Sequence, residues 1–371
     1  MFITIVSFFL VLGVLVFVHE MGHFLVARKT KTKAEEFGFG YPPRLFGWKK
    51  VGGKRKLFWG NKEVESEDTI YSINIWPLGG FVKIKGEDGD GRDDGDSFSS
   101  KTARKRIAIL IAGVTMNVLF AMVLLMINFG IGIPSAIEGS PDEEFAKNPI
   151  IQVVEVAKDS PADKAGMALG DEVLLVAGKK IEKVDEITKV IAESGAGELT
   201  IKIKHLGEEK DIVVTPVLDQ ELGDEYVDPE NPGRYVVGFS SLKVGIISYP
   251  WYLAIWRGFT ATFLLLWRIL VVFCLLLKNL ILGRGLMAEV AGPIGVAVMT
   301  GQMVRLGISH ILQFTALLSL NLAIVNMFPF PALDGGRILM IIIEKIRGKK
   351  INQNLENAMH NIGFALLMIL I

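Results

Sequence analysis

The polarity of this chain changes in blocks. Crossing a bilayer takes about 20 consecutive apolar residues. Runs of that kind predict transmembrane helices over 1–27, 106–133 and 310–345, and a shorter run predicts a fourth over 355–371. The first run carries no basic segment ahead of it, and its only polar interruption is His19, Glu20 and His23, so it reads as a retained span rather than a signal peptide. Basic residues cluster beside three of the runs: Arg28, Lys29, Lys31 and Lys33 after the first, Lys101, Arg104, Lys105 and Arg106 before the second, and Arg337, Lys345, Arg347, Lys349 and Lys350 after the apolar stretch 311–330 of the third. The bias of Lys and Arg toward the cytoplasm places those flanks inside and the N-terminus outside. Residues 250–282 disturb this count, because a further crossing would reverse the third run. Arg257, Arg268 and Lys278 fall within an arc of about 80° of a helix. The segment therefore reads as an amphipathic helix on the outer surface, within a 219–305 linker. The alternative is a true span paired with a second crossing near 286–305.

Between the second and third runs the pattern becomes that of a soluble module over 145–218. Ile150–Val156 alternates as a strand, Ser160–Ala165 reads as a short helix with Ser160 at its N-cap, and Val184–Ser194 reads as an amphipathic helix. Strands follow over 198–204 and 211–217. The motifs Ser160-Pro161-Ala162, Ala165-Gly166-Met167 and Gly170-Asp171 resemble those of bacterial PDZ domains. That likeness implies an α+β fold that takes up extended peptides or peptide C-termini by strand addition, with Arg234–Phe239 as the receiving strand. A spacer that binds nothing, or filters by size, is the alternative. Residues 28–105 form a loop between the first two spans. Its run 86–96, GEDGDGRDDGD, lacks the ligand order of a calcium loop, because Arg92 stands at a ligand position. It reads as a solvated linker.

The 371 residues are 50% hydrophobic and 22% charged. That much apolar surface excludes a disordered chain and disfavours a wholly soluble enzyme. Lys and Arg balance Asp and Glu at 40 each, which gives no global argument for nucleic acid. The single cysteine, Cys274, excludes a disulfide framework and a cysteine-rich metal site.

The chemistry concentrates in His19-Glu20-Met21-Gly22-His23. Residues four apart share a helix face, so both imidazoles can reach one zinc ion while Glu20 stands beside the open position as a general base. Ionisable groups inside a span are costly and point to function. A third protein ligand at the same depth is needed, and Asp334 in Asn326-Met327-Phe328-Pro329-Phe330-Pro331-Ala332-Leu333-Asp334-Gly335-Gly336 supplies it. His205, His310 and His360 have no such neighbours.

An intramembrane H-E-x-x-H, a later N-x-x-P-x-P-x-L-D-G and a PDZ-like module between them resemble the bacterial site-2 proteases, the intramembrane zinc metalloproteases of the RseP type (peptidase family M50). The resemblance runs the length of the chain and includes GPIG at Gly292–Gly295. It implies a polytopic α-helical membrane protein of about four transmembrane helices, with a membrane-associated β-loop and an inserted extracytoplasmic PDZ domain. His19, His23 and Asp334 would bind one Zn2+ and Glu20 would be the base. Asn321 and Asn326 match positions that help hold substrate, and Pro329 and Pro331 match the motif's proline pair. Ser72–Asp88, with Gly79 and Gly80, looks like the membrane-dipping β-loop that offers a sheet edge to substrate. Glu36–Phe46 looks like the family's GFGP element with Tyr41 inserted. Ala112–Asn117 looks like an A-G-P-x-x-N element in which Val114 replaces the proline. The implied setting is the bacterial inner membrane, with the active site toward the cytoplasm. The implied substrates are single-pass membrane proteins, such as trimmed anti-sigma factors or remnant signal peptides. A membrane-tethered soluble zincin, a proton-coupled transporter and an inactive scaffold are the competing readings. The Asp334 motif, the PDZ-like module and the intact ligand set, respectively, argue against them.

Overall fold

The computed structural model describes residues 2–51, 54–61, 68–87, 94–140, 142–205, 208–223, 233–283, 292–349, 358–359, 361–363 and 365. The chain forms two compact units, Met1–Asn128 with Tyr252–Ile371, and Phe129–Trp251.

The first unit begins with α1 (Phe2–Lys29). Its 28 residues make a rod of about 42 Å. Val11, Leu15, Val18, His19, Gly22 and His23 are buried, at spacings of three and four that keep one stripe inward. Ile3, Val6, Leu10 and Leu25 stay exposed, as lipid-facing side chains do in a span. Next come β1 (Ala34–Val51), β2 (Lys54–Trp59) and β3 (Ile70–Ile84), an antiparallel sheet in the order β2-β1-β3. β1 and β3 each double back. Phe37 pairs with both Tyr71 and Val82, while Phe46 pairs with Trp59 and Ile73. The ribbon order is therefore β2, second half of β1, first half of β3, first half of β1, second half of β3. Of the loop predicted over Ser72–Asp88, residues 80–84 form the free edge, because 70–74 lie inside the sheet. Across the bend of β1, the Arg44 guanidinium grips the Glu36 carboxylate with both ends of its fork. Then α2 (Ala103–Ile131) runs unbroken through Val114, where a proline would have removed a helical hydrogen bond. Most of the acidic run 86–96 lies outside the described residues.

The second unit contains β4 (Ile133–Ala136), β5 (Ala146–Val156), α3 (Pro161–Lys164), β6 (Glu172–Val176), β7 (Lys179–Lys180), α4 (Val184–Ser194), β8 (Leu199–His205), β9 (Glu208–Val214), β10 (Val217–Leu218), α5 (Asp219–Leu222), β11 (Tyr235–Val236) and β12 (Phe239–Ile247). The large sheet runs β4-β12-β5-β6-β8-β9, with β7 beside β6, and β10 pairs with β11. Ile151, Val153, Val176, Ile201, Ile203 and Val214 form its core, drawn from alternate strand positions. The Ser160 hydroxyl accepts from the Asp163 N–H at 3.2 Å and caps α3. The boundary of 145–218 is too narrow. β12 lies between β4 and β5 in the sheet, so 219–247 belongs to the module rather than to a linker. Strand pairing across 100 residues left no local mark in the sequence.

The chain returns to the first unit with α6 (Trp251–Ile281), α7 (Pro293–Leu306), α8 (Ile308–Met327) and α9 (Asp334–Arg347). Among the described residues, four helices are long and apolar enough to cross a membrane: α1, α2, α6 and α8. α6 is thus among them, and most of the span predicted over 355–371 lies outside the described residues. The contacts of α6 favour the alternative reading of 250–282, a span, over the surface helix. Near one end of α6, Gly258 lies against Met126 late in α2; further along, Phe273 meets Phe328 at the end of α8, ring centroids 5.4 Å apart. The helix stands alongside its neighbours instead of across their ends. Its basic stripe is also mostly apolar, because Leu264, Val271 and Leu275 share the arc of Arg257, Arg268 and Lys278 and are exposed. The chain is back beside the start of α1 by α7, where Gly301 lies against Thr4. The predicted single helix over 310–345 is two, α8 and α9, broken at 328–333.

Candidate active site

Three elements of the first unit converge on one face of α1. α2 comes close because its crossing positions carry no side chain. A Cβ at Gly22 would collide with the Ala112 carbonyl, and one at Gly113 would overlap the rings of His23 and His19. α8 ends where Pro329 and Pro331 withdraw two backbone donors. The turn that follows holds Ala332 at φ 80°, a left-handed conformation uncommon outside glycine. It packs so tightly that Gly335 meets the Met327 carbonyl and Gly336 the Phe330 carbonyl. α9 then begins at Asp334 itself, with Leu333 as its N-cap, so the carboxylate is not serving as the cap. It sits at the positive end of the helix dipole.

His19 and His23 are each 6% exposed. Their Nε2 atoms are 3.1 Å apart. Asp334 Oδ2 lies 3.1 Å from His19 Nε2 and 3.4 Å from His23 Nε2. Tetrahedral ligands at zinc bonding distances stand about 3.3–3.6 Å from one another. The triangle matches that spacing within a few tenths of an ångström. His23 Nδ1 donates to the Ile109 carbonyl at 2.8 Å, which leaves a lone pair on Nε2. Asp334 Oδ2 is buried without a hydrogen-bond donor. Electron-rich atoms thus face each other across a gap of cation size, and the donor set of two imidazoles and a carboxylate suits zinc.

The remaining predicted residues divide. Glu20 Oε2 accepts from the Val82 N–H at 3.2 Å, so the edge half of β3 touches the residue next to His19. Gly79 and Gly80 lie against Val16 and Phe17 of α1, where side chains would hold the strand away. Asn326 Nδ2 is 3.4 Å from His19 Nε2, at the site. Asn321 bonds instead to the Leu317 carbonyl of its own helix at 2.9 Å. Pro329 and Pro331 shape the turn that presents Asp334, and Gly363 in the C-terminal segment packs on Pro331.

Sequence reasoning placed Asn117 in the A-G-P-x-x-N-like element but gave it no role at the site. Its fully buried amide lies 3.2 Å from His19 Nδ1, and its oxygen has no donor. Turned over, Oδ1 accepts the Nδ1–H of His19 and leaves that ring's Nε2 for the metal as well. The Ser319 hydroxyl holds the Asn117 carbonyl at 2.8 Å. The available signal was a lone asparagine inside an apolar run.

Compared with known proteins, residues 7–370 match the family model described as peptidase family M50. The chain belongs to peptidase family M50. A Clostridium perfringens protein named as a zinc metalloprotease is 34% identical over 361 residues, which is 97% of this chain and 93% of the relative. The regulator of sigma-W protease RasP of Bacillus subtilis is 28% identical over 450 residues, covering 99% of this chain and 96% of its own length. The PDZ domain of an SdrC-like protein from Listeria monocytogenes aligns to 24% of this chain and 85% of its own, at 17% identity and a TM-score of 0.21. This M50 peptidase is a zinc metalloendopeptidase and a multi-pass bacterial membrane protein.

Proposed function

We propose that this protease uses one zinc ion, held by His19, His23 and Asp334, to hydrolyse peptide bonds within transmembrane segments of single-pass membrane proteins. The observation that carries the reading is the triangle of two Nε2 atoms and Asp334 Oδ2, set on spanning helices beside a free sheet edge. Bound zinc supplies Lewis-acid polarisation of the scissile carbonyl and acidifies water. Glu20 takes the proton from the attacking water and delivers it to the leaving amine. Asn326, adjacent to His19, steadies the substrate carbonyl or the charge that develops on it.

A transmembrane helix conceals its carbonyls in its own hydrogen bonds, so it must be extended before it can be cut. Residues 80–84 offer the replacement partners. One side of that strand is paired with β1, and the other faces Glu20 through the Val82 N–H. Pairing with the substrate releases the Val82 N–H from the Glu20 carboxylate and leaves it free to act as a base. The basic flanks put this site toward the cytoplasm and the PDZ-like module outside. In the module, a cleft of about 450 Å3 between α4 and residues 234–241 takes extended peptides or C-termini. The name of the Bacillus relative points to regulators of sigma factors as substrates, and remnant signal peptides fit the same geometry.

The test is cleavage of a single-pass model substrate by the purified protease, with zinc measured on the same sample. Glu20→Gln should keep zinc and lose about 10²–10⁴ in rate. Asp334→Asn should lose zinc together with activity. Chelation should abolish cleavage, and restored zinc should recover it. Substantial turnover by Glu20→Gln, or full zinc content in Asp334→Asn, would overturn the assignments.

A further inference from the structure

A crevice separate from the catalytic face opens between α1 and α2. Leu25 and Val26 line it on one side and Ala108, Ile111 and Met116 on the other, enclosing about 850 Å3. Its mouth carries Lys29, Lys31 and Lys105, and no carboxylate lines it. Among the described residues, no acid pairs with any of these three lysines. Along α2 the crevice extends from Lys105 to Thr115 and Met116. Ten helical residues rise about 15 Å, half the roughly 30 Å of a hydrocarbon core. Its depth is thus that of one leaflet. At Lys31 it adjoins a second cavity of about 980 Å3, where seven basic side chains, Lys31 among them, face two carboxylates. One of these, Asp96, is already held by Lys85 at 2.9 Å. An apolar slot one leaflet deep, with a strongly basic basin at its mouth, is complementary to a single class of molecule.

We propose that the α1–α2 crevice binds an anionic phospholipid, one acyl chain lying against Val26 and Ile111 and the headgroup phosphate meeting Lys29, Lys31 and Lys105. Charge complementarity selects against zwitterionic lipid, since lysines near a membrane surface each favour an anionic headgroup. Depth selects against free phosphate, which would leave the apolar slot unused. The substrate segment is not the occupant, because the edge that meets Glu20 is on β3 and β3 does not line this crevice.

The experiment uses the full-length protein in phosphatidylcholine nanodiscs containing a trace of photoactivatable phosphatidylglycerol, with cross-links to α1 and α2 peptides read by mass spectrometry. Excess phosphatidylglycerol should suppress the cross-link, whereas excess phosphatidylcholine or inorganic phosphate should not. Combined Lys29→Ala, Lys31→Ala and Lys105→Ala should lower labelling by at least about tenfold. Removal of the same charge elsewhere, by Lys158→Ala, Lys179→Ala and Lys180→Ala, should leave it unchanged. Ile111→Trp, which fills the slot and keeps the charge, should also lower it. Zinc content reports on folding in every variant. Equal competition by phosphatidylcholine would overturn the proposal, as would unchanged labelling in both crevice variants. Displacement by inorganic phosphate, with Ile111→Trp inert, would reduce the site to a phosphate site and overturn it equally.

Discussion

Each of the two imidazoles proposed to hold the metal rests on a neighbour that is not itself a proposed ligand. Ile109 fixes the His23 proton, Asn117 lies against His19, and Gly113 leaves room for both rings. Loss of such a partner typically costs about 10–100-fold in metal affinity. Asn117→Leu should therefore weaken zinc binding by that amount, measured by competition with a chelator, while Asn117→Asp should retain most of it, because a carboxylate also accepts from Nδ1–H. Equal affinity of wild type and Asn117→Leu would remove Asn117 from this role. Gly113→Val should be more damaging, since its side chain would occupy the space of the rings. The H-E-x-x-H spacing made the histidine pair legible, because both lie on one helix turn. Asn117 is 98 residues from His19, and no local periodicity links them.

Two elements carry predictions of their own. β3 reaches α1 because Gly80 has no side chain; a Cβ there would stand 3.0 Å from the Phe17 Cα. Gly80→Val should push the edge strand off Glu20 and lower cleavage sharply, with zinc content unchanged. Loss of zinc alongside activity would show instead that the strand supports the metal ligands. The second element is α6. We predict that it crosses the membrane and that the chain returns through α7, which removes the parity conflict: its end near Phe328 then lies with the basic end of α1 and with the basic helix α9 that follows α8. With Cys274 replaced by serine, single cysteines at Tyr252 and Lys278 should be labelled from opposite sides by a membrane-impermeant reagent. Labelling of both from one side would return α6 to the surface. Three cations mark this arc in the sequence, yet Leu264, Val271 and Leu275 on the same face are exposed as well. Arg268, on an exposed face, can extend its guanidinium toward the interface on a long apolar stem.

For the intact protease, the order of its parts suggests how substrates are admitted. The module leaves the bundle after α2 and rejoins it at α6. We predict that it filters by size, excluding membrane proteins whose outer domains have not been trimmed. Because β4 and β12 belong to its sheet, a clean deletion must remove 133–247, with a flexible bridge in place. The deleted protease should cut untrimmed substrates and keep its zinc. Untrimmed substrates left intact while trimmed ones are cut at the normal rate would show that the module does not filter.

Much of this molecule is written locally. The long apolar runs, the i, i+4 histidines, the amphipathic α4 and the cap at Ser160 depend on neighbours within a turn or two, and spacing alone reveals them. Asp334 was also legible, since prolines, glycines and one acid at the end of a span form an unusual group. The folding back of β1 and β3, the placing of β12 between β4 and β5, the proximity of Asn117 to His19 and the upright α6 were not. Each depends on which faces meet across a hundred or more residues, or on hydrogen bonds whose two ends carry no shared period. A backbone carbonyl such as that of Ile109 is common to every residue type and an N–H such as that of Val82 to all but proline, so only the packing of α2 and β3 on α1 singles them out.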